Sequence, residues 1–454
     1  MKRKKLLLIP LLGVVALTTL LSCGQDRWPE YYPLTGRDLW IDSVMRQDYL
    51  WYEDIPSPKK LNYFQEPATF LKSLLSPNDK GYSTVDTLYS TPVPSYGFDY
   101  NLYKLATSDT VYNALISYVI PDSPAANAGL ERGEWIMLID GDSITKKTEK
   151  LLVDGGSREL LIGKYVVQKD EEDKEVGVIQ SDRDVNLPAA RAVTDNAIHA
   201  RRIFMIQNTN LIVGYLAYNQ FVPGPTDGSQ DYNAVLKSFS SECKEAGVNN
   251  FILDLRYNAG GEMECVQLLG DILVPADKLD SPLAFLQYNS KQSAKNRDLI
   301  LDAQLLQGGA NLNLSTLYVI TSGTTAGAAE MLINCLKPYM NVVLVGQTTK
   351  GENVGTATYL NPQYPWVLRP VVCEVFNAEG ESDYAAGFKP DYSINETSYL
   401  ANYLPLGNPD EVLLNTVLQL IAGNIESPKT SNTRMTLGKS VTMKRNVRKG
   451  LILK

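Results

Sequence analysis

The chain has 454 residues, 44% of them hydrophobic and 21% charged. That is enough apolar material for sizeable cores and too much for a disordered chain. The formal charge is -8, which argues against nucleic-acid binding. His199 is the only histidine, which leaves almost no room for a histidine base or a histidine-rich metal site. At about 100–200 residues per domain, the length predicts two to four units.

Lys2, Arg3, Lys4 and Lys5 precede an apolar run from Leu6 to Leu21 that only Thr18 and Thr19 interrupt. The run is short for a membrane span and reads as a signal peptide over residues 1–22. It ends Leu20-Leu21-Ser22-Cys23, which resembles a bacterial lipobox. The resemblance implies lipidation of Cys23 and anchoring in the bacterial cell envelope, periplasmic or surface-exposed, with the folded part in water. An ordinary secretory signal is the alternative. Without the basic residues of this segment, 39 basic residues face 51 acidic ones. Cys243, Cys265, Cys335 and Cys373 show no CxxC spacing, so buried thiols are expected rather than a metal site. One disulfide stays open for an exported chain.

Residues 23–83 read as a lipidated terminus followed by a small helical region. Leu39, Val44, Met45, Tyr49 and Leu50 fall at helical spacing, and Pro56-Ser57-Pro58 makes a turn. Over 84–192 the pattern changes to short β-rich runs. The run Asn113 to Ile120 is a strand. A short helix is capped near Ser123 and ended by Gly129. A strand then closes on the Asp140-Gly141 turn. This run resembles a PDZ domain. The resemblance implies a groove that takes a polypeptide carboxyl terminus by strand addition, with Tyr96, Gly97, Phe98 and Asp99 as the loop that holds the carboxylate. A module that only packs on its neighbour is the alternative.

Residues 193–425 alternate strands and helices, so an α/β core around a mostly parallel sheet is expected. The strands are 211–218, 251–256, 317–321 and 342–345, with helices over 263–274 and 326–336. Gly- and Thr-rich turns lie at their carboxyl ends, where such sheets carry their sites. In the tail, 426–454, the stretch after Pro428 holds eight basic residues and no acidic one. A headgroup contact and a solvated or strand-forming terminus both fit it.

Three runs stand out: Asp254-Leu255-Arg256-Tyr257-Asn258-Ala259-Gly260-Gly261, Thr324-Thr325-Ala326-Gly327-Ala328-Ala329-Glu330, and Gly346-Gln347-Thr348-Thr349-Lys350-Gly351-Glu352. Together with the PDZ-like stretch upstream, they resemble the tail-specific, or carboxyl-terminal processing, peptidases of family S41. The resemblance covers about Arg37 to Ile425. It implies a crotonase/ClpP-like α/β core with an inserted β module, no cofactor, and polypeptide carboxyl termini as partners. It also implies a Ser–Lys pair, in which a desolvated neutral lysine takes the proton of the attacking serine.

This sequence departs from that pattern. With Glu330 and Gly351 as anchors, the family serine falls on Gly327, the lysine on Glu352 and the glutamine on Thr356. Gly327 has no side chain with which to attack a carbonyl, so the expectation is a peptide-binding homologue without peptidase activity. Thr325 and Lys350 keep the 25-residue spacing, two positions upstream, and are the candidates for a displaced pair. Two residues turn a helix by about 200°, so Thr325 is expected to point elsewhere, as a helix N-cap. Gly260, Gly261, Arg256 and Ala328 are the candidate substrate-binding residues, with the Gly260-Gly261 amides facing an anion or a peptide carbonyl. An active serine-type endopeptidase using displaced residues and a purely structural or assembly partner stay open beside this reading.

Overall fold

The computed structural model describes residues 28–87, 94–105, 108–225, 228–424, 436–441 and 450–453. The signal segment and Cys23 lie outside the described residues.

The amino-terminal helices, Trp28–Asp48 and Pro67–Lys72, enclose Ile41, Met45, Tyr49, Phe70 and Leu71. The same cluster takes in Val354, Leu368 and Val371, so the helical region leans on strands of the core. Asp79 accepts from the Tyr49 hydroxyl at 2.9 Å and from the Ser83 hydroxyl and amide, which pins the turn that ends the region. The strand Thr84–Thr87 pairs with Trp366–Arg369 in a small three-stranded sheet. It therefore belongs with the helical region and the core, and the β module begins later than residue 84.

That module is an antiparallel sheet in the order Thr436–Val441, Phe98–Lys104, Tyr112–Val119, Trp135–Ile139, Arg158–Lys169, Glu175–Leu187. Its helix, Pro124–Asn127, is capped by Ser123, whose hydroxyl accepts from the Ala126 amide at 3.1 Å. The Asp140-Gly141 turn has φ of 52° and 81°, the pair of left-handed residues that a tight hairpin needs.

The core has two sheets where the sequence pattern showed one. The first runs Tyr392–Ser393, Asn341–Gly346, Thr316–Thr321, Asn250–Asp254, Ile212–Tyr218, Ile198–Met205 and is parallel except at its last pair. The second runs Gly260–Glu262, Gly450–Leu453, Val354–Ala357, Val371–Asn377, Pro282–Tyr288, Arg297–Ile300. The helices Met263–Leu273 and Ala328–Leu336 are buried almost throughout. One core joins Leu253, Val319 and Leu344 of the first sheet, Leu269 and Met331 of the helices, and Leu286, Val372 and Leu451 of the second. The four described cysteines are buried thiols in this region.

The tail thus supplies a strand to each of two sheets. Thr436–Val441 adds to the edge of the β module. Gly450–Leu453 lies inside the second core sheet, parallel to both neighbours.

Candidate functional site: a cleft with a glycine, an acid and a resident strand

The three turns converge at the carboxyl ends of the parallel strands. After Asn250–Asp254 the chain reverses at Asn258, whose side-chain amide donates to the Tyr218 carbonyl at 2.8 Å. Its carbonyl oxygen accepts the Gly260 N–H at 2.9 Å. Gly260 and Gly261 have φ of 113° and 141°, and a Cβ on either would strike backbone within about 2 Å, at Gly450 and Phe221 respectively. The Gly260 amide is thus taken by Asn258, so it does not offer itself to an incoming carbonyl as the sequence led us to expect.

After Thr316–Thr321 the chain turns at Ser322. The Thr325 hydroxyl donates to the Leu255 carbonyl at 2.8 Å and accepts from the Ser322 amide at 3.0 Å. Thr325 is not the cap of the following helix. Gly327 is, with φ 54°, and Ala328 is the first helical residue. The Gly327 N–H donates to Glu330 Oε2 at 3.1 Å.

Glu330 organises the site. It is fully buried, and besides Gly327 it accepts the Gly351 amide at 2.7 Å, the Glu352 amide at 2.8 Å and the Thr349 hydroxyl. One carboxylate thereby ties the start of the helix to the Thr349–Glu352 turn. Burial raises its pKa, and these hydrogen bonds oppose that.

Glu352 is 3% exposed. Lys350 Nζ donates to its Oε2 at 3.2 Å. Gly327 and Glu352, on which the motif comparison places the family serine and lysine, present a bare backbone and a buried carboxyl group. The displaced pair is not assembled. Thr325 turns its hydroxyl to Leu255, while the half-exposed Lys350 ammonium sits on Glu352.

Burial pushes the Glu352 pKa up to about 7, Lys350 opposes the shift, and Glu330 and Asp79 add to it. An acid whose folded pKa lies above its unfolded value near 4.5 costs stability as pH rises from about 4.5 to 7, because the folded state holds the proton longer. The full cost above that window is on the order of 3 kcal/mol. Asp271, pushed up to about 8 by burial, titrates with the same sign. The contribution of Glu352 is read from Glu352→Gln: the loss of stability between pH 5 and pH 8 is expected to be smaller in the variant, by urea unfolding of both proteins at each pH. Equal losses would contradict the buried acid.

Arg256 does not line the cleft, contrary to its assignment as a substrate-binding residue. It is 1% exposed. Its Nη2 donates to Asp254 at 2.8 Å, its Nη1 to Glu396 at 2.7 Å, and its two Nη atoms to Glu411 at 2.8 and 2.9 Å. Arg132 of the β module reaches the same Glu396 at 2.7 Å. Burial pushes Glu411 up, but Arg256 and Arg132 outweigh it and hold its pKa below the usual carboxylate value. The network locks the strand carrying Asp254 to the carboxyl-terminal helix and to the β module. Nothing in the sequence pairs Arg256 with Glu396 or Glu411, which stand 140 and 155 positions away.

In the β module, Tyr96 is fully buried and its hydroxyl donates to the Gly156 carbonyl. The Gly97 amide donates to the Ser95 hydroxyl at 2.9 Å, and its carbonyl accepts from Ile120. Phe98 and Asp99 already belong to the strand, opposite Val119 and Tyr118. The proposed carboxylate loop therefore has its Gly97 amide occupied. The edge of the Phe98–Lys104 strand is covered by Thr436–Val441.

The cleft is occupied by the chain itself. Gly450 lies opposite Gly260, and Leu451 opposite Gly261 and Gly355. The Gly450 N–H donates to the Ala259 carbonyl at 2.7 Å, and the Leu451 carbonyl accepts the Thr356 hydroxyl at 2.9 Å. A Cβ on Gly327 would stand 2.2 Å from the Gly450 carbonyl carbon.

The profile of peptidase family S41 matches residues 212–394, and that of the S41 N-terminal domain matches residues 38–84. A crystal structure from Bacteroides fragilis, assigned to the S41 proteases, superposes with a TM-score of 0.80 at 51% identity. The match covers 85% of this chain and 97% of that one.

This chain belongs to peptidase family S41.

A carboxy-terminal-processing protease of Bartonella bacilliformis is 24% identical over 353 residues, which are 70% of this chain and 74% of that protein. A CtpA-like serine protease of Staphylococcus epidermidis is 22% identical over 302 residues, 64% of this chain and 53% of its own length. The S41 frame explains why the three turns meet: they are the corners of one cleft. In this S41 chain that cleft holds Gly327, Glu352, Thr356 and the resident Gly450–Leu453 strand.

Proposed function

We propose that this S41 homologue binds extended polypeptide, including polypeptide carboxyl termini, without hydrolysing it. In this reading it is an exported protein of the bacterial cell envelope, lipid-anchored through Cys23, with a PDZ-like module inside 84–192 whose strands begin at Phe98. The observation that carries the proposal is the pairing of Gly327 with Glu352 at the cleft. Acyl-enzyme formation needs a nucleophile and a base that accepts its proton. Gly327 offers only backbone, and the Lys350 ammonium is engaged by the Glu352 carboxyl group. The relatives named as processing proteases support polypeptide as the ligand class. The ability of this cleft to take a peptide as an added strand supports the mode of binding.

The test is incubation of the purified protein with a fluorescein-labelled unfolded polypeptide that ends in apolar residues. The expected outcome is saturable binding by anisotropy and no new fragment by mass spectrometry. Fragments that disappear in Lys350→Ala or Thr325→Ala would overturn the proposal and establish a displaced pair. No binding to any unfolded polypeptide would leave only a structural role.

A further inference from the structure

We propose that residues 450–453 of this chain are the resident ligand of the S41 cleft, and that they define its specificity: a glycine beside Gly327, followed by aliphatic residues, bound as a strand parallel to both walls. The proposal rests on the peptide-binding reading and names the peptide class.

Five observations carry it. The segment is held by main-chain pairing on both sides, to Gly260–Glu262 and to Val354–Ala357, which is how a cleft grips a peptide independently of its sequence. Among the described residues, Gly260–Glu262 joins this sheet only through the segment. Three wall positions have no side chain where the segment passes. A Cβ on Gly260 would fall 1.9 Å from the Gly450 oxygen and one on Gly327 would fall 2.2 Å from the Gly450 carbonyl carbon, while one on Gly355 would meet Cys373 Sγ first, at 2.9 Å, and touch Leu451 and Leu453 at 3.4 Å. The segment has its own demand for glycine. Gly450 has φ 73°, and a Cβ there would stand 2.1 Å from Glu352 Oε1. Leu451 and Leu453 are buried within the main core, at 1% and 4% exposure, so the residues that follow the glycine must be apolar.

The segment also passes at the position that decides chemistry. The Gly450 carbonyl carbon is the atom nearest to where a side chain of residue 327 would begin, and Thr356 holds the next carbonyl, that of Leu451. Gly327 thus removes a nucleophile and makes room for the peptide in one substitution. The tail upstream adds to the edge of the β module over Thr436–Val441. One tail therefore covers both the cleft and the edge of the Phe98–Lys104 strand, and an outside strand must displace it to pair at either.

The test uses the full chain. The probe is the fluorescein-labelled peptide Asn-Val-Arg-Lys-Gly-Leu-Ile-Leu, the sequence of residues 446–453, with a control carrying valine in place of its glycine. In the variant Leu451→Asp/Leu453→Asp the resident strand is expelled, and the probe is expected to bind at least about tenfold more tightly than to the unaltered protein, since a tethered segment competes at a local concentration near the millimolar range. The control peptide is expected to lose that binding. Amide hydrogen exchange is the second measurement and needs no variant. Residues 451–453 of the unaltered protein are expected to exchange slowly, and several-fold faster with millimolar unlabelled probe. Fast exchange without probe, no acceleration with it, or equal affinity of both proteins for the probe would overturn the proposal. Should the variant bind the probe while neither protein binds unfolded polypeptide, the resident-ligand inference stands and the wider binding function falls.

Discussion

Arg256→Met is expected to destabilise the protein by about 3–5 kcal/mol, the cost of stripping a buried charge network of its central cation. The guanidinium makes hydrogen bonds to Asp254, Glu396 and Glu411, and Asp254 and Glu411 are themselves buried. Without it, Arg132 is the remaining cation in the cluster, 3.8 Å from Glu411 and 2.7 Å from Glu396. Asp254 then retains the Tyr215 hydroxyl at 2.9 Å as a donor but loses its cation. Methionine fills most of the volume, so the loss reports charge rather than a cavity. Urea unfolding followed by tryptophan emission checks the magnitude. Because Arg132 and Tyr257 carry the network into the β module, the loss is expected to release that module from the core as well, visible as faster amide exchange in Tyr112–Val119. A change under 1 kcal/mol would mean that the carboxylates are already protonated or solvated.

Glu330→Ala is expected to cost about 4 kcal/mol or more, since it orphans three buried amides at roughly 1–3 kcal/mol each. Those amides belong to Gly327, Gly351 and Glu352, the backbone of both cleft corners. Glu330→Gln is the informative companion. It keeps one acceptor oxygen and turns donors towards the rest, so it should recover only part of the loss. The site readout is amide exchange at residues 451–453, expected to quicken in both variants because the walls of the cleft are no longer held. Full stability in Glu330→Gln would contradict the account, since it would show that the hydrogen bonds accepted by the carboxylate contribute little.

Much of the core was legible because its signals are local. Buried strands with apolar runs, such as Asn250–Asp254 and Thr316–Thr321, appear within one or two residues of their expected ends. The helix Ala328–Leu336 starts two residues later than the pattern implied, because Gly327 takes a positive φ that its own backbone allows and Glu330 caps. The division of the core into two sheets was not legible. Parallel pairing is set by partners far apart in sequence, and strand periodicity carries no information about which partner a strand takes.

Misreadings of the site have the same origin. Arg256 follows a strand and precedes the glycine turn, which suits a substrate contact, but its partners come from residues 396 and 411. The Gly260 amide looked available until Asn258, two residues before it, closed on it. The tail was recognised as basic and compatible with a strand. Its four-residue Gly-Leu-Ile-Leu run was the one signal of a buried segment, and nothing in it named the cleft as its seat. The assignment of Gly327 and Glu352 to the family serine and lysine positions rests on the motifs around them, which fix direction as well as spacing.

The central claim, that this cleft holds peptide and does not acylate, meets its most direct test in a fluorophosphonate probe applied to the purified protein and read by intact-mass spectrometry. The expected spectrum is that of the unmodified chain, before and after unfolded polypeptide is added. A stoichiometric mass increase that maps to Thr325, Ser322 or any other hydroxyl of the cleft would contradict the account.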